Sequence, residues 1–268
     1  MSGYNKHMAE YRARNPGLKE QLVKSLAPII DKIPQSRNSS ISNLSRQLSK
    51  FSSGAKLGNK LRYWQWATII DEEEANYLIK EKKSSRLQRL SDDGFSYKKR
   101  KERLLNTIQK TGDINDVLLT DMNLVLQNDM LKKVDCMSMA NSLEVRTPFL
   151  DHNVVDYAFS LPVDFKINGR RRKKILIDTF GHLLPQELLN RPKKGFEVPM
   201  LKWLRTDLKP MIENDLLGNK FIEQQGVFNG EAIVNLKAKL FSNNPGDSAA
   251  TVWAIIVFQY WWKKHFLN

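Results

Sequence analysis

Apolar residues recur at three- and four-residue steps through most of this chain, and no stretch of useful length alternates apolar with polar. Helices repeat about every 3.6 residues and strands about every 2, so the pattern commits the backbone to helices. Ile41, Leu44, Leu48 and Phe51 mark an amphipathic helix inside a Ser-rich run. Residues 51–60 (FSSGAKLGNK) carry two glycines and read as a loop. A helix is predicted over residues 59–70, with Leu61, Trp64 and Thr68 on one side. Another is predicted over 71–82, where the acidic opening suits a helix N-terminus. Residues 84–103 are charged and aperiodic and read as a mobile surface segment.

Asp113 or Asn115 caps the next helix, which carries Leu118, Met122, Val125 and Leu126. Asn128 and Asp129 interrupt it, and a further helix is predicted over 130–142. Residues 153–161 and 173–184 have helical spacing, each stopped by a proline, Pro162 and Pro185. Residues 210–217 and 231–241 read as peripheral helices. Asp247 or Ser248 caps a terminal helix with Val252, Ile255, Ile256 and Trp262 among its apolar positions. The fold class is all-α, without internal repeats.

At 268 residues, 41% of them hydrophobic and 27% charged, the chain suits one large globular domain or two small ones. Its single cysteine, Cys136, excludes an internal disulfide and a thiolate metal cluster, and fits a reducing, cytoplasmic setting. The polar start is no signal peptide. The longest apolar stretch, residues 249–258, is shorter than the roughly 20 residues of a membrane helix, so a soluble protein without a membrane partner is expected. The net charge of +14 favours polyanions or phosphate-bearing ligands. Its basic runs (KKRKER at 98–103, RRRKK at 170–174, Lys193 and Lys194) are short, and the first reads as a solvated face.

General motifs are few. There is no G-x-G-x-x-G, residues 54–60 lack the spacing of a P-loop, and four dispersed histidines offer no metal-ligand set. Longer patterns say more. Residues 134–151 read VDCMSMANSLEVRTPFLD, residues 172–176 read RKKIL, and residues 183–199 read LLPQELLNRPKKGFEVP. Together these resemble the C-terminal, mostly helical part of the synthetase domain of glutamine-dependent asparagine synthetases. Trp253, Trp261 and Trp262 resemble that family's closing helix, and Gly3-Tyr4 the end of its S-G-x-G-x-D-E-[LIV]-F-G-G-Y motif. The family's S-G-G-x-D-S pyrophosphate loop occurs nowhere in the chain, nor does a glutaminase domain.

The resemblance implies the helical C-terminal portion of an adenine-nucleotide-α-hydrolase-like domain, without its parallel sheet and pyrophosphate loop. Residues 1–112 would form an N-terminal helical segment with a mobile charged stretch, and residues 113–268 the asparagine-synthetase-like domain. In the family, ATP activates the aspartate side chain as an adenylate, and ammonia from glutamine displaces AMP. Fixed cations suit the phosphate charge of both transition states. Lys173 is thereby implied as the catalytic lysine, and Lys133, Asp135, Arg146, Lys193 and Lys194 as substrate- or phosphate-binding. Ser138, Glu144, Pro148, Asp151 and Gly195 belong to the structural motif.

Plainer roles stand beside these. Lys173 could be a solvent-exposed lysine, Asp135 could make only a helix salt bridge, and Glu144 could pair with Arg146 to hold a turn. Lys193 and Lys194 either close over a ligand or lie on a plain surface loop. ATP and Mg2+ are implied for the full-length enzyme, with neither bound tightly by this chain alone and no metal site in it. The implied partners are the N-terminal glutaminase and nucleotide-loop part, with homo-oligomers open and nucleic acid not expected.

Two departures count. Cys136 replaces a basic residue of the family pattern and reads as a small buried apolar side chain. Ile177 stands where the family often has arginine. Both are compatible with a branch whose acceptor is not free aspartate. The rival readings are a basic nucleic-acid-binding module and a non-catalytic partner subunit of a split synthetase.

Overall fold

The structure is a computed structural model that describes residues 3–35, 40–80, 97–169, 171–190 and 198–267. It is all-α apart from one two-residue strand pair among the described residues. Ile167–Asn168 pairs antiparallel with Arg171–Arg172, around Gly169 at φ 57°. The chain divides into two compact units, each assembled from interleaved segments. One draws on residues 1–21, 57–64 and 91–193, the other on 22–56, 65–90 and 194–268.

The second unit owns a closed hydrocarbon core. Leu204, Ile212, Leu217, Leu240 and Val252 are 0% exposed, and Ile233, Leu216 and Ile222 are nearly so. The helices Gly230–Phe241 and Ser248–Phe266 supply most of it, placing Ile233, Leu236 and Leu240 beside Val252, Ile255 and Ile256 at helical steps. Each such side chain contributes on the order of 1.5–3 kcal/mol by leaving water. Residues 210–217 and 231–241 are therefore not peripheral: both segments are core. Buried polar groups on the terminal helix include Ser248, Thr251 and Gln259, whose amide donates to the Leu216 carbonyl at 3.1 Å and accepts from Gln225.

Local chemistry explains several departures from the expected elements. The Ser40–Ala55 helix runs through the first half of the predicted loop at 51–60. Its Gly54 is there for packing: a Cβ would run into the indole of Trp66, whose nitrogen donates to the Lys50 carbonyl at 2.9 Å. Asp247 precedes the terminal helix but makes no side-chain cap to it, pairing instead with Arg46 and Lys50. Of the predicted mobile segment, residues 84–96 lie outside the described residues, and Tyr97–Leu105 is an α-helix burying Leu104 and Leu105.

In the first unit Asp113 is the cap of Ile114–Asp121, accepting from the Asn115 amide at 2.7 Å. Asn128 and Asp129 do not break the helical run beyond it. The backbone widens into a π-helix, Met122–Leu131, and continues as Lys132–Met139. The Asn128 amide itself donates to the carbonyls of Asn123 (2.7 Å) and Leu124 (3.0 Å), which keeps the ladder satisfied. The expected helix at 173–184 begins one residue later, as Lys174–Phe180, and tightens into a 3-10 turn at Gly181–Leu183.

Candidate functional site

The strand pair of the first unit delivers Lys173 to its position. The chain turns at Gly169, and Arg172 donates to the Gly3 carbonyl (3.2 Å) and Asn5 Oδ1 (2.6 Å). Those bonds fasten the basic segment to the start of the chain. Lys173 then adopts φ 54°, a left-handed conformation uncommon outside glycine, and caps the Lys174–Phe180 helix through its carbonyl. Strain of about 1–3 kcal/mol at such a residue persists only where its surroundings fix it.

Lys173 and Leu176 line a cavity of about 340 Å3 with Tyr4, His7, Asp121 and Phe149. Most of the remaining wall is apolar, including Leu118, Met122, Val125, Leu126 and Val155. Three stretches singled out in the sequence meet here: Gly3-Tyr4, the PFLD end of residues 134–151, and RKKIL. Pro148 opens the short 3-10 turn that presents Phe149 and Leu150. Asp151 ends it, its carboxylate accepting from the Asn153 amide at 2.9 Å to start His152–Ser160.

The polar end of the cavity is a cluster that spacing alone does not reveal. His7 and Asp121 lie 114 residues apart, with Nε2 to Oδ2 at 2.9 Å. Lys6 and the Tyr63 hydroxyl, the latter at 3.0 Å, hold Asp121 Oδ1. The Tyr4 amide lies 3.4 Å from His7 Nδ1, which makes that nitrogen the acceptor and leaves the proton on Nε2 to donate to Asp121. Burial lowers the His7 pKa, against the opposing pull of Asp121. Burial would raise the Asp121 carboxyl, but the His7 hydrogen bond and the Lys6 charge outweigh it, and its pKa is lowered. Burial, and then the charge of Asp121 beside it, raise the Tyr63 phenol. A second ionic group stands nearby in sequence: Glu10, 1% exposed, accepts from Arg14 (2.8 Å) and from Arg62 at 2.8 and 2.5 Å.

The other implied site residues sit elsewhere. Lys133 and Asp135 are exposed on Lys132–Met139 and do not line the cavity. Lys133 reaches only Met130 Sδ at 4.0 Å, and the Ser138 hydroxyl donates back to the Asp135 carbonyl at 3.2 Å. Glu144 and Arg146 form an exposed ion pair with each other. Cys136 is half-buried rather than buried, because the helix carrying it buries no residue at all. Lys193, Lys194 and Gly195 lie outside the described residues. Sequence reading missed His7, Asp121 and Tyr63. The available signal was that Asp121 falls on the same face as buried Val117 and Leu118, where a carboxylate must find partners.

Among the described residues no group of three or more His, Cys, Asp or Glu side chains converges to hold a metal ion. Both Asp121 oxygens are also taken by protein donors. The described residues thus do not fit a Mg2+ site of their own. Lys173 lines the cavity and is itself exposed, which the plainer reading of a solvent-exposed lysine also expects. No helix among the described residues is long and apolar enough to cross a membrane.

The chain is 30% identical over 149 residues to asparagine synthetase [glutamine-hydrolyzing] 1 of Bacillus subtilis, covering 56% of this chain and 23% of that protein. It is 33% identical over 106 residues to asparagine synthetase [glutamine-hydrolyzing] 3 of the same organism, covering 36% and 17%. To the mouse asparagine synthetase it is 40% identical over 92 residues, covering 33% and 16%. The chain thus spans less than a quarter of the length of these curated relatives. No solved structure gives a significant match. The family model for asparagine synthase matches residues 1–263, nearly the whole chain, and the chain belongs to that family.

Proposed function

We propose that this chain supplies the helical part of the synthetase domain of an ATP-dependent, amide-forming ligase of the asparagine-synthetase type. The observation that carries the reading is convergence. Three sequence stretches typical of the family meet at one cavity, and Lys173 stands at it in a conformation held from both sides. In this reading Lys173 faces the oxygens that gather negative charge as a carboxylate is adenylated and as ammonia displaces AMP. ATP and Mg2+ are held by the nucleotide-loop part, ammonia comes from a glutaminase part, and the assembled enzyme works in the cytoplasm. Lys133, Asp135 and Arg146 lie outside the cavity and are assigned to contacts with those other parts. The motif residues Ser138, Glu144, Pro148 and Asp151 fix the turn that presents Phe149. The part from residue 113 onward carries the synthetase function in this reading.

These 268 residues contain no phosphate-cradling S-G-G-x-D-S loop, so by themselves they should not adenylate. The test is acid-dependent exchange of labelled pyrophosphate into ATP with Mg2+. The chain alone should give none. Fused behind the nucleotide-loop part of the Bacillus relative, it should exchange, and Lys173→Met should abolish that exchange. Exchange by the chain alone, or a fusion indifferent to Lys173, would contradict the reading.

A further inference from the structure

The cavity beside Lys173 is small and mostly apolar. Its volume of about 340 Å3 is that of a small-molecule site. Its walls are hydrocarbon and thioether, with Leu118, Met122, Leu126, Val155 and Phe159 prominent. Among the described residues that line it, polar groups are few, and most are already engaged. His7 uses Nδ1 for the Tyr4 amide and Nε2 for Asp121. Asp121 gives Oδ1 to Lys6 and Tyr63 and Oδ2 to His7. Lys173 is an exposed residue at the edge of the cavity, and no salt bridge among the described residues includes it.

A free amino dicarboxylate such as aspartate brings two carboxylates and an ammonium. Each needs a partner once water is removed. One carboxylate could meet Lys173. The ammonium would have to displace Lys6 from Asp121, and the second carboxylate would face Leu, Val and Met side chains. A monocarboxylate with a hydrocarbon body carries a single charge, which one ammonium answers, and its body gains by leaving water among apolar walls.

We infer that the acid activated at this site is a monocarboxylate with an apolar or aromatic body, its carboxylate at Lys173 and its body in the cavity. The inference rests on Lys173 being the lysine at the reacting carboxylate, and it names the substrate class that lysine serves. The reaction keeps its balance. The acid and ATP give an acyl-adenylate and pyrophosphate; ammonia then gives the primary amide and AMP, with one proton released.

Isothermal titration of the 268-residue chain tests it, with 3-phenylpropionate and octanoate as probes, L-aspartate as the competing acid and 3-phenylpropanamide as an uncharged control. Both apolar acids should bind at least ten times more tightly than aspartate. Lys173→Met should weaken them about tenfold, the scale of one charge-assisted hydrogen bond, and leave the amide unchanged. Ala158→Phe, which fills the cavity, should remove acid and amide alike with an unchanged far-UV circular dichroism spectrum. If that variant misfolds, Lys173→Met with the amide control still decides.

Aspartate binding as tight as the apolar acids, no binding of either acid, or acid binding indifferent to Lys173 would each overturn the inference. The two readings fail separately. Acid binding of the expected pattern, in a fusion that exchanges pyrophosphate with no acid, would sink the ligase assignment and spare the site. Exchange supported by aspartate alone would spare the ligase and sink the site.

Discussion

The Gly230–Phe241 and Ser248–Phe266 helices bury ten residues between them, whereas Lys132–Met139 and His152–Ser160 bury none. The first pair closes a core face within its own unit, while Trp253, Val257, Tyr260 and Trp261 stay exposed on the other side of the terminal helix. The second pair, with the turn between, leaves Met137 62%, Phe149 63% and Tyr157 63% exposed. Lone exposed apolar residues are ordinary, but a run of them along consecutive elements marks a surface made for contact. Within it, residues 134–151 carry the longest pattern that resembles asparagine synthetases. Its side chains are thus spent on what the segment faces, and the closed core on what the chain must hold alone. Under the proposed function, the face belongs against the nucleotide-loop part.

That contrast can be broken by substitution. The largest effect is expected in the first unit's ionic group, where Arg62→Met would break the buried Arg62–Glu10 pair, leave Glu10 to Arg14, and cost about 3–5 kcal/mol of unfolding free energy. Next comes Leu240→Ala in the closed core, at about 2–5 kcal/mol. Phe149→Ala should cost the isolated chain no more than about 0.5 kcal/mol, the range for surface changes. Urea titrations of the three variants check the order. A Phe149→Ala penalty as large as that of Leu240→Ala would erase the difference between the regions.

The response to pH is smaller and has a definite sign. Both His7 and Asp121 have lowered pKa values in the fold. For each, the unfolded chain binds its proton first as pH falls, so acid removes stability. The loss should begin below the unfolded histidine value of 6.5, through His7. It should continue below 3.8, through Asp121. His7→Gln should flatten the first part in a thermal-melt series from pH 8 to 5; a slope unchanged by that substitution would remove His7 as its cause. The smallest effect is expected from Glu144→Gln, since an exposed pair contributes about 0–1 kcal/mol.

Much of this is legible in the residues and some of it is not, for physical reasons. Helical spacing yields the all-α class because buried faces in this chain are helix faces. It misreads 51–60, because Gly54 is a seat for Trp66 and not a breaker. It misreads Asn128 and Asp129 as a stop, although an Asn side chain can return hydrogen bonds to the ladder it disturbs. Lys173 stands inside a recognisable pattern. Asp121 does not, because its partners Tyr63 and His7 lie 58 and 114 residues away, and no local signal states that distance. The same limit hides the apolar character of the cavity, which is assembled from side chains of several helices.

The central claim is that the family-patterned helices form a contact face completed from outside this chain, while the second unit's core is complete in itself. Amide hydrogen exchange, read by mass spectrometry on the chain alone and fused to the nucleotide-loop part of the Bacillus relative, tests it most directly. In the chain alone, peptides from residues 132–139 and 152–160 should exchange far faster than those from 230–241 and 252–262. On fusion the first two should slow strongly and the last two should not change. Equal protection of all four in the isolated chain, or no slowing on fusion, would contradict the account.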